Sequence, residues 1–196
     1  MSEETWNRTI DTDLKGAFFL AQYAAKAMIA AGNGGRIINL LSTAAFRPNG
    51  IFSAYGSAKL GLWLATQAMA KELAEHQILV NAVTPGATIT EERLEKLKAG
   101  TFAMDEVPED AVKTRKQMQK FAKGSAVLHM LTAWMPQKME EAVKGFALGQ
   151  LMTTLMPLGR TGYPDEVAKA VLFLASDMAG YISGTNIVVD GAQSLR

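Results

Sequence analysis

Two short, mainly apolar runs limit the folds open to this chain more than any other feature: Ile37-Ile38-Asn39-Leu40-Leu41, and Ile78 to Val83. Neither alternates apolar with polar residues, as a strand with one wet face does, so each reads as a parallel strand buried on both faces. The first strand is expected over Arg36 to Ser42 and the second over Ile78 to Val83. A helix from about Ser53 to Glu75 separates them, and its Leu60, Leu62, Leu64, Ala65, Ala68, Met69 and Leu73 make an apolar surface broader than one stripe. Further on, Pro164, Asp165 and Glu166 open a helix that ends near Ser176, with Val167, Ala170, Val171, Phe173 and Leu174 spaced to pack on a sheet. Gly184 to Val189 makes the last strand. The expectation is an α/β fold.

In such folds ligands bind beyond the carboxyl ends of the strands. Ser42 sits at that end of the first strand, and the next helix carries Tyr55-Gly56-Ser57-Ala58-Lys59. Four residues apart on a helix, the phenol and the ammonium share one face. A free tyrosine, with a pKa of about 10, is a poor base at neutral pH, and lowering it by about three units takes roughly 4 kcal/mol. A unit charge about 4 Å away at an effective dielectric near 20 supplies that much. Lys59, with any cationic ring of a bound cofactor, provides such a charge, while Ser42 can hydrogen-bond a substrate oxygen against the phenol. Taken alone, Tyr55-x-x-x-Lys59 is a common pattern on amphipathic helices.

The order of motifs adds to this. Ile38-Asn39-Leu40-Leu41-Ser42, Tyr55-x-x-x-Lys59, Val80-Asn81-Ala82-Val83-Thr84-Pro85-Gly86 and Asp190-Gly191 follow one another as in the short-chain dehydrogenase/reductase family, which the chain resembles over all but about Glu91 to Met156. The resemblance implies a Rossmann-like three-layer parallel sheet with helices on both faces. It also implies an oxidoreductase moving hydride between NAD or NADP and a carbonyl or secondary alcohol. By the same resemblance Tyr55 is the acid/base, Lys59 lowers its pKa and holds the cofactor ribose, and Ser42 positions the substrate. Pro85-Gly86-Ala87-Thr88-Ile89-Thr90 fits the family's Pro-Gly-x-x-x-Thr loop. Pro85 and Gly86 then belong to the cofactor site, with Thr88 backbone and the Thr90 hydroxyl holding the nicotinamide amide and pyrophosphate. Asp13 stands where the family commonly carries an asparagine whose backbone holds a water of the lysine relay. Its charge favours the Lys59 ammonium and opposes a phenolate. Some enoyl-thioester reductases of this fold carry an acid nearby, which adds acyl thioesters to the substrates in view. Asp190-Gly191 departs from the family's Asp-Gly-Gly at Ala192.

Composition narrows the classes. Among 196 residues, 20 basic and 19 acidic side chains leave a net charge of +1, so no global field favours nucleic acid or an anionic membrane. The absence of cysteine removes disulfides, thiolate metal sites and a thiol nucleophile. His76 and His129 are too far apart in the chain to suggest a metal site, and His76, between a helix and a strand, suits a cap or the surface. With no signal peptide and no membrane-length apolar stretch in view, a cytoplasmic protein acting on a small molecule is expected.

The chain opens on a helix from Ser2, a cap, with Glu3 and Glu4 at its positive end, running to about Ala31 and stopped by Gly32-Asn33-Gly34-Gly35. In the family this helix and that of residues 53–75 form a dimer interface, so a homo-oligomer through residues 2–31 and 53–75 is expected. Residues 91–156 hold seven of the eleven methionines and read as a helical insertion within a single partial Rossmann-type domain of residues 1–196. The insertion is either a lid over an apolar substrate or a small helical core. Neither the family's Thr-Gly-x-x-x-Gly-x-Gly loop nor its Asn-Asn-Ala-Gly strand end occurs, so the adenine side of the cofactor site is missing and the fold reads as amino-terminally truncated. A fragment, a second polypeptide supplying the other half, or a non-catalytic half-fold acting as an interaction protein each account for this; the start inside a helix favours the first.

Overall fold

A computed structural model describes residues 1–47, 52–89 and 157–195. Strands β1 (Gly35–Leu40), β2 (Ile78–Pro85) and β3 (Asn186–Val189) form a three-stranded sheet in the order β1-β2-β3. Both pairs are parallel, with Ile37 level with Val80 and Ala82 level with Asn186. The central β2 is the strand whose run is buried almost throughout, as expected for a strand covered on both sides.

Helices lie on both faces. α2 (Ala17–Ala31) and α3 (Ser53–Glu72, continued by a 3₁₀ turn at Leu73–His76) cover the face that carries Ile37, Ile78 and Val80, through Ala21, Ala25, Met69, Ala70 and Leu73. α4 (Pro164–Ala175) covers the other face, where Leu174 meets Val83, Ala179, Ile38 and Ile187. Ile37 and Ile38 thus serve opposite layers, which is why the strand needs apolar residues at successive positions. Leu62, Ile78 and Leu174 are essentially fully buried, each worth ~1.5–3 kcal/mol relative to exposure.

Polar residues inside the apolar runs have partners. The Asn39 amide donates to Thr66 Oγ1 at 2.9 Å, and the Thr66 hydroxyl donates to Leu62 O at 2.7 Å, fixing α3 along β1. Asn81 donates to Ile182 O at 2.7 Å and accepts from Thr185 N at 3.0 Å, tying β2 to the segment that leads into β3. Buried polar groups satisfied in this way set register as well as contributing stability.

The first helix differs from expectation. Ser2 caps it, its hydroxyl accepting from Thr5 N at 3.2 Å, and Gly32 ends it at φ 70°. Between α1 (Glu3–Ile10) and α2, however, Asp11–Gly16 form a wider π-helical stretch. One extra residue in a helix turns everything before it by about 100° relative to everything after it. Strand ends also move by one or two residues: β1 stops at Leu40, before Ser42, and β3 starts at Asn186 rather than Gly184. The expected lid, residues 91–156, lies outside the described residues.

After β3 the chain makes a tight turn in which the Asp190 carboxylate accepts from Ala192 N at 2.9 Å and Ser194 N at 2.7 Å. Ala192 has φ 68°, the left-handed conformation for which the resemblance expects glycine. Among the described residues no helix is long and apolar enough to cross a membrane.

Candidate active site

The carboxyl end of β1 and the start of α3 meet at Lys59. Its ammonium lies 3.1 Å from Asp13 Oδ1 and donates to Leu40 O, the last residue of β1, at 3.2 Å. It also lies 5.5 Å from the centre of the Tyr55 ring, one helical turn earlier. The Lys59 side chain is 13% exposed and that of Asp13 26%, so this pair is shielded in a way the other ion pairs among the described residues are not. Two of the three ammonium protons have acceptors among the described residues; the third is available to a ligand.

The π stretch carries Asp13 to this point. Asp13 and Leu14 fall within it, and Leu14 packs so closely on α3 that a Cβ added at Gly61 would lie 3.0 Å from Leu14 Cδ2. Gly61 therefore lets the two helices approach, and the carboxylate reaches the lysine directly. The resemblance gives an asparagine at position 13 a backbone role; here the side chain makes the contact.

Ser42 continues from the tip of β1, where Leu41 N still donates to Val83 O at 2.8 Å. Its hydroxyl caps the 3₁₀ turn Thr43–Ala45, accepting from Ala44 N at 3.2 Å, which leaves its own proton free to donate. That turn lies against α3 at Gly56, where an added Cβ would stand 2.6 Å from Ala44 O. Gly56 received no role from the sequence, although a glycine inside a helix beside a chemically loaded residue signals such an approach.

The neighbouring strand end carries the second group of expected residues. Pro85 ends β2, and Gly86 allows the loop to touch the turn after β3: a Cβ there would lie 2.6 Å from Asp190 Cβ. Thr88 forms a parallel bridge with Gly162, in which Gly162 N donates to Ala87 O at 2.9 Å and Ile89 N donates to Gly162 O at 3.0 Å. Because a strand alternates, the N–H and C=O of Thr88 itself face away from Gly162. The Thr88 side chain turns back to donate to Gly86 O at 3.2 Å. Thr90 lies outside the described residues. Arg47, which donates to Gln193 O, and Gln193, which accepts from Ala87 N of this loop, carry no sequence signal because both sit in irregular segments without a motif. Among the described residues no three acidic or histidine side chains cluster as a metal site.

Residues 1–99 match the family described as short chain dehydrogenase. The chain belongs to that family. Within it, residues 130–192 match a second description, enoyl-(acyl carrier protein) reductase. Among curated short chain dehydrogenases, an NAD-dependent glycerol dehydrogenase of Listeria innocua is 32% identical over 196 residues, spanning all of this chain and 58% of its own length. A (3R)-3-hydroxyacyl-CoA dehydrogenase of Rattus norvegicus is 34% identical over 191 residues, covering 97% of this chain and 55% of the relative. Among solved structures, acetoin dehydrogenase from Enterobacter cloacae superposes with a TM-score of 0.66 at 29% identity, covering all of this chain and 57% of that one. The chain thus spans a little over half the length of the short chain dehydrogenases it matches.

Proposed function

We propose that the protein is a nicotinamide-dependent oxidoreductase acting on an apolar carbonyl compound or the corresponding secondary alcohol. The observation that carries this reading is the shielded Lys59 ammonium, held between Asp13 and the end of β1 with the Tyr55 ring beside it. In the reductive direction the Tyr55 hydroxyl gives a proton to the carbonyl oxygen; in the oxidative direction it takes one from the alcohol. Lys59 stabilises the phenolate left behind, and the Ser42 hydroxyl donates to the same substrate oxygen, holding it in line with the phenol. Asp13 keeps Lys59 in place. The relatives named for glycerol and for 3-hydroxyacyl-CoA support a hydroxyl-bearing substrate.

The residues fit a nicotinamide cofactor. The outward N–H and C=O of Thr88 match the acceptor and donor of a carboxamide, Pro85 and Gly86 form the strand end that presents them, and the third Lys59 proton suits a ribose hydroxyl. When bound, NAD or NADP supplies or accepts the hydride. Thr90 is proposed as a further contact of the cofactor pyrophosphate, and residues 91–156 as a helical lid. Titrating full-length protein with NADH and with NADPH should give saturable nicotinamide fluorescence with at least one of them; no saturation with either overturns the reading and favours a non-catalytic interaction protein.

The protein is further proposed to be a homo-oligomer through its first helices and α3. Phe19, Leu20 and Tyr23 on α2, and Leu60 and Leu64 on α3, are large, apolar and exposed, with Leu20 and Leu64 about 70% accessible. A second copy would cover this broad surface. Leu64→Glu is expected to shift the sedimentation coefficient toward the monomer; an unchanged value removes α3 from the interface.

A further inference from the structure

We infer that Gln193 is a positioning residue for the nicotinamide carboxamide, acting through the main chain of the loop after β2. The inference rests on the cofactor reading above and adds to it a residue from the far end of the chain. Gln193 Oε1 accepts from Ala87 N at 2.9 Å. On the next peptide units, Ala87 O and Ile89 N are both taken by Gly162. The peptide groups on either side of Thr88 are therefore fixed, and the Thr88 N–H and C=O left between them point outward in one direction.

The amide that does this is itself held. Gln193 N donates to Asp190 O at 3.1 Å, and Arg47 Nη1 donates to Gln193 O at 2.8 Å. The turn is braced by the two hydrogen bonds to the Asp190 carboxylate. Gly86 shows how closely the turn lies against the loop, since a Cβ there would stand 2.8 Å from Gln193 Oε1. Arg47 is five residues beyond Ser42, so the same turn joins the segment that carries the serine to the loop that would grip the cofactor. Hydrogen bonds of this kind preorganise a binding edge, so that it need not be ordered when the ligand arrives.

The test compares Gln193→Met, which keeps length and loses the acceptor, with Gln193→Glu, which keeps an oxygen for Ala87 N–H. In full-length protein, Gln193→Met is expected to raise the NADH or NADPH dissociation constant and the cofactor KM about fivefold, the size of one lost neutral hydrogen bond. The kcat at saturating cofactor should stay within about twofold, because the chemistry at Tyr55 is untouched. Gln193→Glu should restore the wild-type constant, and hydrogen exchange at the Ala87 amide should quicken in the methionine variant alone. Arg47→Met, which releases the turn from the other side, should move the dissociation constant in the same direction and serves if Gln193→Met does not fold. Wild-type protein that binds cofactor while Gln193→Met and Arg47→Met leave affinity unchanged overturns this inference alone. A Gln193→Glu variant as weak as Gln193→Met also overturns it. Wild-type protein that binds no nicotinamide cofactor overturns both this inference and the function on which it rests.

Discussion

Tyr55→Phe is expected to lower turnover by about 10²- to 10⁴-fold, the range contributed by a positioned general acid or base. The substitution removes one oxygen from a side chain that is only half-buried, and no hydrogen bond of its hydroxyl holds the described fold together. Thermal stability should therefore stay within ~0.5 kcal/mol of wild type, as for ordinary surface changes. The ring remains to pack beside Lys59, so the ammonium keeps its place. Steady-state kinetics with the physiological substrate, beside a melting curve, checks both halves. Full turnover in the phenylalanine variant would show that another group handles the proton and would remove Tyr55 from the chemistry.

Lys59→Met is expected to damage both stability and activity, and a second substitution separates the two effects. Without the ammonium, the Asp13 carboxylate keeps its partly shielded position without its partner, and Leu40 O loses its donor. Breaking a fully buried ion pair costs ~3–5 kcal/mol; with Asp13 still reached by solvent, about 2 kcal/mol is expected. For a chain of this size that lowers Tm by roughly 4–8 °C. Adding Asp13→Asn removes the stranded charge and should restore most of the lost stability. It should not restore turnover, because the chain's own cation beside the phenolate is still missing. A double variant that regains both would show that Lys59 is only a structural counter-charge. A single variant with normal melting would show that the pair contributes nothing, as many exposed pairs do.

Much of the layer structure was legible because burial on two faces leaves a plain mark. Ile37 and Ile38 both had to be apolar, and each serves a different helical layer. The Tyr55 and Lys59 pair was legible because helix geometry alone places residues four apart on one face. The π stretch at Asp11–Gly16 was not, since Ser2 to about Ala31 reads as continuously helical and a one-residue phase slip changes no composition. Asp13 lies within that stretch, so its attraction to Lys59 was legible from the order of motifs and the local geometry in which the two side chains meet was not. Arg47, Gln193 and the bridge from Thr88 to Gly162 join segments more than seventy residues apart in irregular backbone, where periodicity carries no information.

The bridge at Thr88 has an evolutionary consequence. The edge offered to a ligand there is made of peptide groups, and its aim is set by Gly162 and Gln193 rather than by the side chains of Ala87 or Ile89. On the proposed function, side chains at those two positions can change without disturbing the peptide edge that would hold the nicotinamide. Recognition carried by peptide groups in this way would outlast sequence change at the positions that supply them.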